Sequence, residues 1–225
     1  MNTSVFISRD LPPDSPFRGM LASRGCTVSG NSLITINPEP FELVPTANWI
    51  FFYSKNGVEH FYSQLDEDQK RKLPVRVATL GSATAKALDK WAIPPTFIGN
   101  GDPLETAEMF VEIAIGQHVL FPQARQSRQS VQSILEEHIL PISLVVYSNK
   151  KKAEVPKQNE TCLVFTSPLN AQSYFDKHNI DSHQKVIAIG KTTGSALADL
   201  GLSDYVVSKS PKEDILAETV AQLLL

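Results

Sequence analysis

The sequence predicts an α/β protein made of two similar lobes, each with a parallel sheet. Short apolar runs of strand length alternate with segments of helical periodicity along the chain, which is typical of parallel sheets with helices on both faces. The same order of elements recurs after about 110 residues, as expected for an internal duplication. The length of 225 residues is sufficient for two small domains.

Each element is predicted from its hydrophobic period and from the residues that bound it. Strands are predicted at Ser4–Ser8, Ser32–Ile36, Trp49–Tyr53, Val75–Leu80, Thr96–Ile98, Val119–Phe121, Ser143–Tyr147, Cys162–Phe165, Val186–Ile189 and Tyr205–Val207. Helices are predicted at Phe17–Arg24, Gly57–Leu65, Thr84–Trp91, Leu104–Ile115, Ser127–His138, Leu169–His178, Thr192–Leu200 and Glu213–Leu224. Ser15, Ser54, Asp102 and Ser167 are suitable N-caps.

The two lobes are predicted from four pairs of matching phrases. F-F-Y-S at 51–54 matches V-F-T-S at 164–167, and R-V-A-T-L-G-S-A-T at 76–84 matches K-V-I-A-I-G-K-T-T at 185–193. V-F-I-S-R at 5–9 is paired with V-L-F-P-Q at 119–123, and L-I-T-I at 33–36 with L-V-V-Y at 144–147. Prolines 38 and 40 and the polar segment 149–158 are the predicted crossings between lobes.

The glycines at 81 and 190 end apolar strands and lead into helices that start with hydroxyl residues. Such a helix start presents unpaired N–H groups and the positive end of the helix dipole, which favours anions. The alternative is that the threonines only satisfy backbone groups of the first turn. The candidate anion-binding residues are Ser82, Ala83 and Thr84 at the helix start after Gly81, and Gly190, Thr192 and Thr193 at the helix start that Gly190 begins.

Five further residues are candidates for a ligand site at the strand ends. Ser54 and Ser167 each follow a strand and are either helix caps or ligand hydroxyls, and one residue can do both. Arg9 follows a strand, where its guanidinium can pair with carboxylates, with a surface arginine as the alternative. Lys185 precedes a strand, and an ordinary surface lysine is the usual case for such a residue. Tyr147 ends a strand and is either a packed aromatic residue or a phenol that donates a proton or hydrogen bond in the site.

Composition excludes several classes of function. The net charge of -3 argues against a nucleic-acid-binding protein, and no apolar run is long enough to span a bilayer. The five histidines and two cysteines show no metal-binding spacing, and no P-loop or dinucleotide fingerprint is present. We therefore expect no cofactor and no metal. The two separate cysteines and the lack of a signal peptide favour a cytoplasmic protein.

The phrases at the strand ends resemble the uroporphyrinogen-III synthase family. They are F-F-Y-S-K-N-G-V at 51–58, F-P-Q-A at 121–124, V-Y at 146–147, V-F-T-S-P-L-N-A at 164–171 and A-I-G-K-T-T-G-S-A-L at 188–197. Tyr53 and Lys191 stand where the family usually has threonine and proline.

The resemblance implies two flavodoxin-like α/β lobes joined by a two-stranded linker, with a ligand cleft between them. It also implies that the first βα unit folds with the C-terminal half of the chain. One lobe then comprises Met1–Ile36 and Lys150–Leu225, the other Pro38–Ser148. The crossings fall near 33–40 and 143–152.

The implied reaction is loss of water from hydroxymethylbilane, with inversion of the last pyrrole ring (ring D) and cyclisation, in tetrapyrrole (haem) biosynthesis. The implied partner is the linear tetrapyrrole, and a monomer is the expected state. Tyr147 matches the family tyrosine that helps the hydroxyl to leave. Residues that match family cleft positions are Ser54, Thr84, Ser167, Lys185, Thr192 and Thr193. The alternatives are a non-enzymatic two-lobe clamp for a small anionic ligand and, from architecture alone, a nucleotide-sugar transferase.

Overall fold

The structure, a computed structural model, describes residues 3–73 and 76–224. The chain divides into two compact units: unit 1 comprises Met1–Thr35 and Lys150–Leu225, and unit 2 comprises Ile36–Asn149. Each unit contains a sheet with parallel strands, so the predicted α/β class is confirmed. Within the described ranges, each helix is too short or too polar to traverse a bilayer.

Parts of the predictions lie outside the described residues. They are Val75, the first residue of a predicted strand, and the lobe ends at Met1 and Leu225. The remainder of that strand is observed at Arg76–Thr79.

The elements are numbered in chain order. The strands are β1 (Ser4–Ile7), β2 (Thr27–Gly30), β3 (Ile34–Pro38), β4 (Trp49–Phe52), β5 (Arg76–Thr79), β6 (Phe97–Ile98), β7 (His118–Ala124), β8 (Leu140–Lys151), β9 (Cys162–Phe165), β10 (Lys185–Ala188) and β11 (Val206–Val207). The helices are α1 (Pro16–Ala22), α2 (Lys55–Tyr62), α3 (Glu67–Arg71), α4 (Ser82–Ala85), α5 (Pro103–Ala114), α6 (Ser130–Leu135), α7 (Pro168–Phe175), α8 (Lys191–Asp199) and α9 (Glu213–Leu224), with a 3-10 helix at Lys86–Trp91.

The sheet of unit 1 has the order β11-β10-β9-β1-β2. Numbered along the unit, this is the flavodoxin-like order 2-1-3-4-5 read from the other edge. Alternate residues of β1 face opposite sides of the sheet: Val5 and Ile7 pack in a cluster with Phe17 and Leu216, whereas Phe6 packs in one with Tyr174. Helices therefore cover both faces, and the site must lie at the strand ends.

The sheet of unit 2 has the order β3-β8-β7-β4-β5-β6. The run β8-β7-β4-β5-β6 corresponds to β2-β1-β9-β10-β11 of unit 1. The two units therefore share one strand order but begin at different points along the chain. Three predicted pairs of matching phrases agree with this correspondence: β1 with β7, β4 with β9 and β5 with β10.

The fourth predicted pair, L-I-T-I with L-V-V-Y, is wrong. Val28 of β2 lies beside Val5, and Pro141 of β8 lies beside Val119, so the counterpart of β8 begins at β2. Strand β2 was not predicted because T-V-S-G contains a single large apolar residue. This strand lies at the edge of its sheet, where a less apolar strand is tolerated.

Three further differences between the predicted and the observed elements have local causes. α3 was not predicted because it buries no residue; it is held by a capping box between Asp66 and Gln69. β7 continues through Pro122, beyond Leu120, where its pairing with β4 ends, so the missing proline N–H costs no bond to β4. The helix predicted at Thr84–Trp91 is a 3-10 helix from Lys86 onward.

Gly99, directly after β6, leaves no room for a side chain. A Cβ there would lie 2.6 Å from the carbonyl oxygen of Leu80 and would overlap both branches of Thr106, which is fully buried. We expect Gly99→Ala to lower the free energy of unfolding by about 1–3 kcal/mol, the usual cost of overpacking, measured by urea unfolding. Gly19, inside α1 with nothing within 4 Å of its Cβ position, is the control: Gly19→Ala should leave stability unchanged or raise it. A neutral Gly99→Ala would contradict the packing.

Candidate active site

Most of the candidate residues lie just beyond the carboxyl ends of parallel strands, where open α/β sheets bind ligands. In unit 2, Ser54 lies beyond β4. Tyr147 does not end its strand as predicted, because β8 continues to Lys151, but it lies beside Ala124, the last residue of β7. In unit 1, Arg9 lies beyond β1 and Ser167 beyond β9. The two helix starts follow β5 and β10, with Ser82, Ala83 and Thr84 in one and Gly190, Thr192 and Thr193 in the other.

The structure brings Ser54 and Tyr147 together. Their hydroxyl oxygens lie 3.2 Å apart, although the residues are 93 positions apart in the chain. Ser54 is also the N-cap of α2, because its Oγ accepts the N–H of Gly57 at 3.2 Å. Gly57 is needed here, since a Cβ would lie 3.0 Å from the Pro122 carbonyl oxygen. The close packing of α2 on β7 thus places Ser54 beside the phenol.

The environment of Tyr147 keeps its phenol protonated. Its side chain is 7% exposed and packs in the unit 2 core with Val146 and Phe61. Burial raises the pKa of Tyr147 above its ordinary value, and the hydrogen bond with Ser54 opposes part of this rise. The group is therefore a neutral O–H at physiological pH, able to donate a hydrogen bond.

Two contacts around Tyr147 were not predicted. The imidazole of His60, in the last turn of α2, stacks on the Tyr147 ring with 5.4 Å between centroids and 27° between planes. The amide of Gln64 donates to the carbonyl oxygens of His60 and Val146. Neither residue belongs to a recognisable motif, and their role depends on how α2 lies on β8, which the sequence does not reveal.

The two helix starts have the same pattern of exposure. In α4, Ser82 and Ala83 are exposed and Thr84 is 7% exposed; in α8, Thr192 is exposed and Thr193 is 3% exposed. The threonine at the third position therefore packs inward, and its neighbours face solvent.

Neither of these helices has a side-chain cap. Their N-cap residues are Gly81 and Gly190. The Cβ position of Gly190 has nothing within 4 Å, whereas that of Gly81 lies 3.2 Å from Gly101. The start of α8 is therefore the more open of the two.

Ser167 is the N-cap of α7. Its Oγ accepts both the backbone N–H of Asn170, at 3.2 Å, and the Asn170 side-chain amide, at 2.9 Å. The side-chain oxygen Oδ1 of Asn170 in turn accepts the N–H of Leu33 at 2.8 Å. The Ser167 hydroxyl is therefore held by two groups of Asn170, whereas the Ser54 hydroxyl contacts Gly57 and Tyr147.

Arg9 has an internal partner. Its guanidinium lies 2.7 Å from Glu213, which also accepts hydrogen bonds from Ser15 and Phe17. Burial alone would raise the pKa of Glu213, but these hydrogen bonds and the charge of Arg9 hold that pKa below its ordinary value. Arg9 therefore ties the segment after β1 to Glu213, the first residue of α9, and this internal ion pair competes with a role for Arg9 as a substrate ligand.

The structure separates Lys185 from the other candidates. Lys185 is the first residue of β10, whereas Gly190 follows the carboxyl end of that strand. The four residues of β10 span about 13 Å at the usual rise. Lys185 lies 3.7 Å from Asp204 instead. Lys185 precedes its strand, as the sequence indicates, and its role as a substrate ligand stays a prediction.

Hydroxyl residues also meet where the strand order of unit 1 reverses. Thr166 donates through its backbone N–H to the Ser8 side chain and through its hydroxyl to the Ser8 carbonyl oxygen, both at 2.9 Å. Tyr53 takes the place of Thr166 in unit 2, and its longer side chain reaches α6, where its hydroxyl accepts the N–H of Gln132. Burial raises the pKa of Tyr53 to about 12.

Among the described residues, no group of three or more His, Cys, Asp or Glu is placed to hold a metal ion.

Two α/β units with hydroxyl-rich helix starts, one of them carrying a buried phenol, define a two-unit α/β protein with a candidate ligand site at its strand ends. The sequence model of the family described as "Uroporphyrinogen-III synthase HemD" matches residues 15–218. The chain therefore belongs to the uroporphyrinogen-III synthase family, as the sequence resemblance implied. Uroporphyrinogen-III synthase activity, in haem biosynthesis, is the function that follows, and the non-enzymatic clamp is not favoured.

Solved structures agree with this family. The chain is similar to the crystal structure of uroporphyrinogen-III synthetase from Helicobacter pylori, with 25% identity and a TM-score of 0.76, over 99% of this chain and 100% of that chain. A mutant uroporphyrinogen III synthase from Thermus thermophilus is 16% identical with a TM-score of 0.55, over 98% of both chains, and supports the fold alone. No curated protein sequence gives a significant match.

Proposed function

We propose that this chain is a lyase that removes water from hydroxymethylbilane and closes the ring with inversion of ring D, with Tyr147 assisting departure of the hydroxyl. The observation that carries this role is the contact between the Tyr147 and Ser54 hydroxyls. Since Ser54 Oγ accepts the Gly57 N–H, its own hydrogen is free to point at Tyr147. The phenolic hydrogen can then be donated to the departing hydroxyl.

The demand on this phenol is modest. A pyrrole nitrogen of the substrate supplies the electron pair that expels the hydroxyl, so a hydrogen bond that stabilises the leaving oxygen is sufficient. The larger contribution is to hold the substrate in a conformation that favours the inverted ring. A neutral, buried phenol meets the first requirement, because its position is fixed before the substrate binds.

The carboxylates of the substrate are proposed to bind at the helix starts of both units. The start of α8 is the best candidate, because its cap is the unhindered Gly190 and its first residue is Lys191. A cation at a helix N-terminus is unfavourable for the helix itself but favourable for an anionic ligand. A cavity of about 500 Å³ lies against the start of α8 and is lined in part by Gly190, Lys191 and Lys209. Ser54, Ser82, Ala83, Thr84, Ser167, Thr192 and Thr193 complete the proposed set.

The segments at 33–40 and 143–152 are proposed to act as a two-stranded linker between functional domains that correspond to 1–36 with 150–225 and 38–148. In support, β3 and β8 are neighbours in one sheet and both continue past a unit boundary. The proposed location is the cytoplasm, in line with the two buried free cysteines.

A coupled assay tests this function directly. Porphobilinogen is converted to hydroxymethylbilane by a separate enzyme, and the isomers formed with and without the purified chain are separated by chromatography. We expect the chain to accelerate formation of the type III isomer over the spontaneous type I product. A product that remains type I in the presence of folded protein would exclude the synthase and leave the clamp.

A further inference from the structure

Three residues in or next to helix α2 contact Tyr147 or the residue before it in β8. Ser54, the N-cap, meets the phenolic oxygen; His60, in the last turn, meets the ring; and Gln64, just beyond the helix, donates to the carbonyl oxygen of Val146 at 3.3 Å. A single helix therefore fixes the oxygen, the ring and the adjacent backbone of one tyrosine.

Strand β8 alone does not fix this side chain. The pairing of β7 with β8 shifts register between Gln123 and Ala124, so Gln123 lies beside Val145 and Ala124 beside Tyr147. Val146 is the extra residue of this irregularity, and such bulges redirect the side chains that follow them. The direction of the Tyr147 ring consequently depends on its side-chain neighbours.

The contact between His60 and Tyr147 is a stack and involves no proton transfer. The two planes are 27° apart with centroids at 5.4 Å, within the range of offset stacking. His60 is half-buried, and its backbone carbonyl accepts from Gln64 at 2.6 Å. The imidazole lies against one face of the phenol ring, and Gln64 fixes the backbone that carries this imidazole.

We propose that His60 is a positioning residue, whose ring holds the Tyr147 phenol against Ser54 in the geometry that the reaction requires. This inference rests on the proposed acid role of Tyr147. It predicts that a planar ring at position 60 is sufficient, and that His60 matters only while the phenolic hydroxyl is present.

The test uses the full chain with His60→Ala and His60→Phe, each made in the natural sequence and in Tyr147→Phe. A stack of this kind corresponds to about a twofold to tenfold change in rate. We expect His60→Ala to lower kcat by that factor with little change in KM, and His60→Phe to restore most of kcat. In the Tyr147→Phe background, His60→Ala should have no further effect, because the two residues act as a unit.

Controls separate this effect from general destabilisation. His178→Ala removes another His–Tyr ring contact, that with Tyr174 in unit 1 at 5.1 Å, and should leave kcat unchanged. His60→Leu, which keeps apolar packing without a ring, replaces His60→Ala if the latter is unstable to heat.

Three outcomes overturn the proposal. If His60→Ala lowers kcat equally in both backgrounds, His60 acts independently of the phenol, while the acid role of Tyr147 stands. If Tyr147→Phe alone has no effect, the acid role fails and the proposal fails with it. If kcat is unchanged by both His60→Ala and His60→Leu, the stack has no part in catalysis.

Discussion

Replacement of Tyr147 by phenylalanine is expected to lower kcat for type III isomer formation by about tenfold to a hundredfold, at the low end of general acid catalysis. The phenol assists a departure that the pyrrole nitrogen already drives, so activity should fall without being abolished. KM should change little, because the lost hydrogen bond forms to the departing hydroxyl in the transition state. The ring and its stack on His60 remain, which keeps the fold intact. The measurement is the coupled isomer assay under saturating substrate.

The pH dependence provides a second test of the same role. Burial raises the pKa of Tyr147 above its ordinary value, so the phenol stays protonated across neutral and mildly alkaline pH. The ratio of natural to Tyr147→Phe activity should therefore be constant up to about pH 9. A ratio that falls between about pH 6 and 8 would contradict a phenol that stays protonated throughout this range.

Tyr174→Phe is the matched control for this substitution. Tyr174 is fully buried in unit 1, and its hydroxyl accepts the N–H of Gln158 at 3.3 Å. Loss of this hydroxyl should reduce stability by about 1 kcal/mol without a specific loss of kcat. Equal losses of kcat in the two variants would contradict a catalytic role for Tyr147.

The features that the sequence predicted correctly depend on local patterns. Ser54 was predicted as a cap because a hydroxyl residue follows an apolar run and precedes a helical period. Gly81 and Gly190 were predicted as turns between a strand and a helix, because each glycine follows an apolar run and precedes a helical period. The repeat added long-range information, because two matching phrases must occupy matching places in two sheets.

The features that the sequence did not predict depend on contacts between distant segments. The partner of Arg9, Glu213, is 204 residues away, and no local pattern connects them. The stack of His60 on Tyr147 joins α2 to β8 next to a register shift between β7 and β8, and neither feature has a signature in the apolar pattern. Lys185 is a different case: as the residue before a predicted strand it belongs at the amino end, and the family resemblance alone placed it with the ligands.

Replacement of Gly190 by aspartate is expected to separate stability from activity. The backbone at Gly190 is extended, with φ -175° and ψ 175°, so any residue can adopt it, and the Cβ position is open. Aspartate is a favoured N-cap, and its charge suits the helix dipole, so the melting temperature should stay the same or rise slightly. The same carboxylate would occupy the amides that we propose for the substrate and would repel its charge. We expect kcat/KM to fall by about tenfold or more, the equivalent of one charge-assisted hydrogen bond.

A series of substitutions at position 190 distinguishes the effects of added volume, of helix capping and of charge. Gly190→Ala adds a methyl group to open space and leaves the amides uncapped, so kcat/KM should remain close to that of the natural chain. Gly190→Asn caps the helix without a charge and should give an intermediate loss, whereas Gly190→Asp should give the largest loss. If all three variants have equal kcat/KM, the start of α8 does not bind a substrate carboxylate. Gly81 is unsuitable for the same series, because a Cβ there would press on Gly101 and would change packing and binding together.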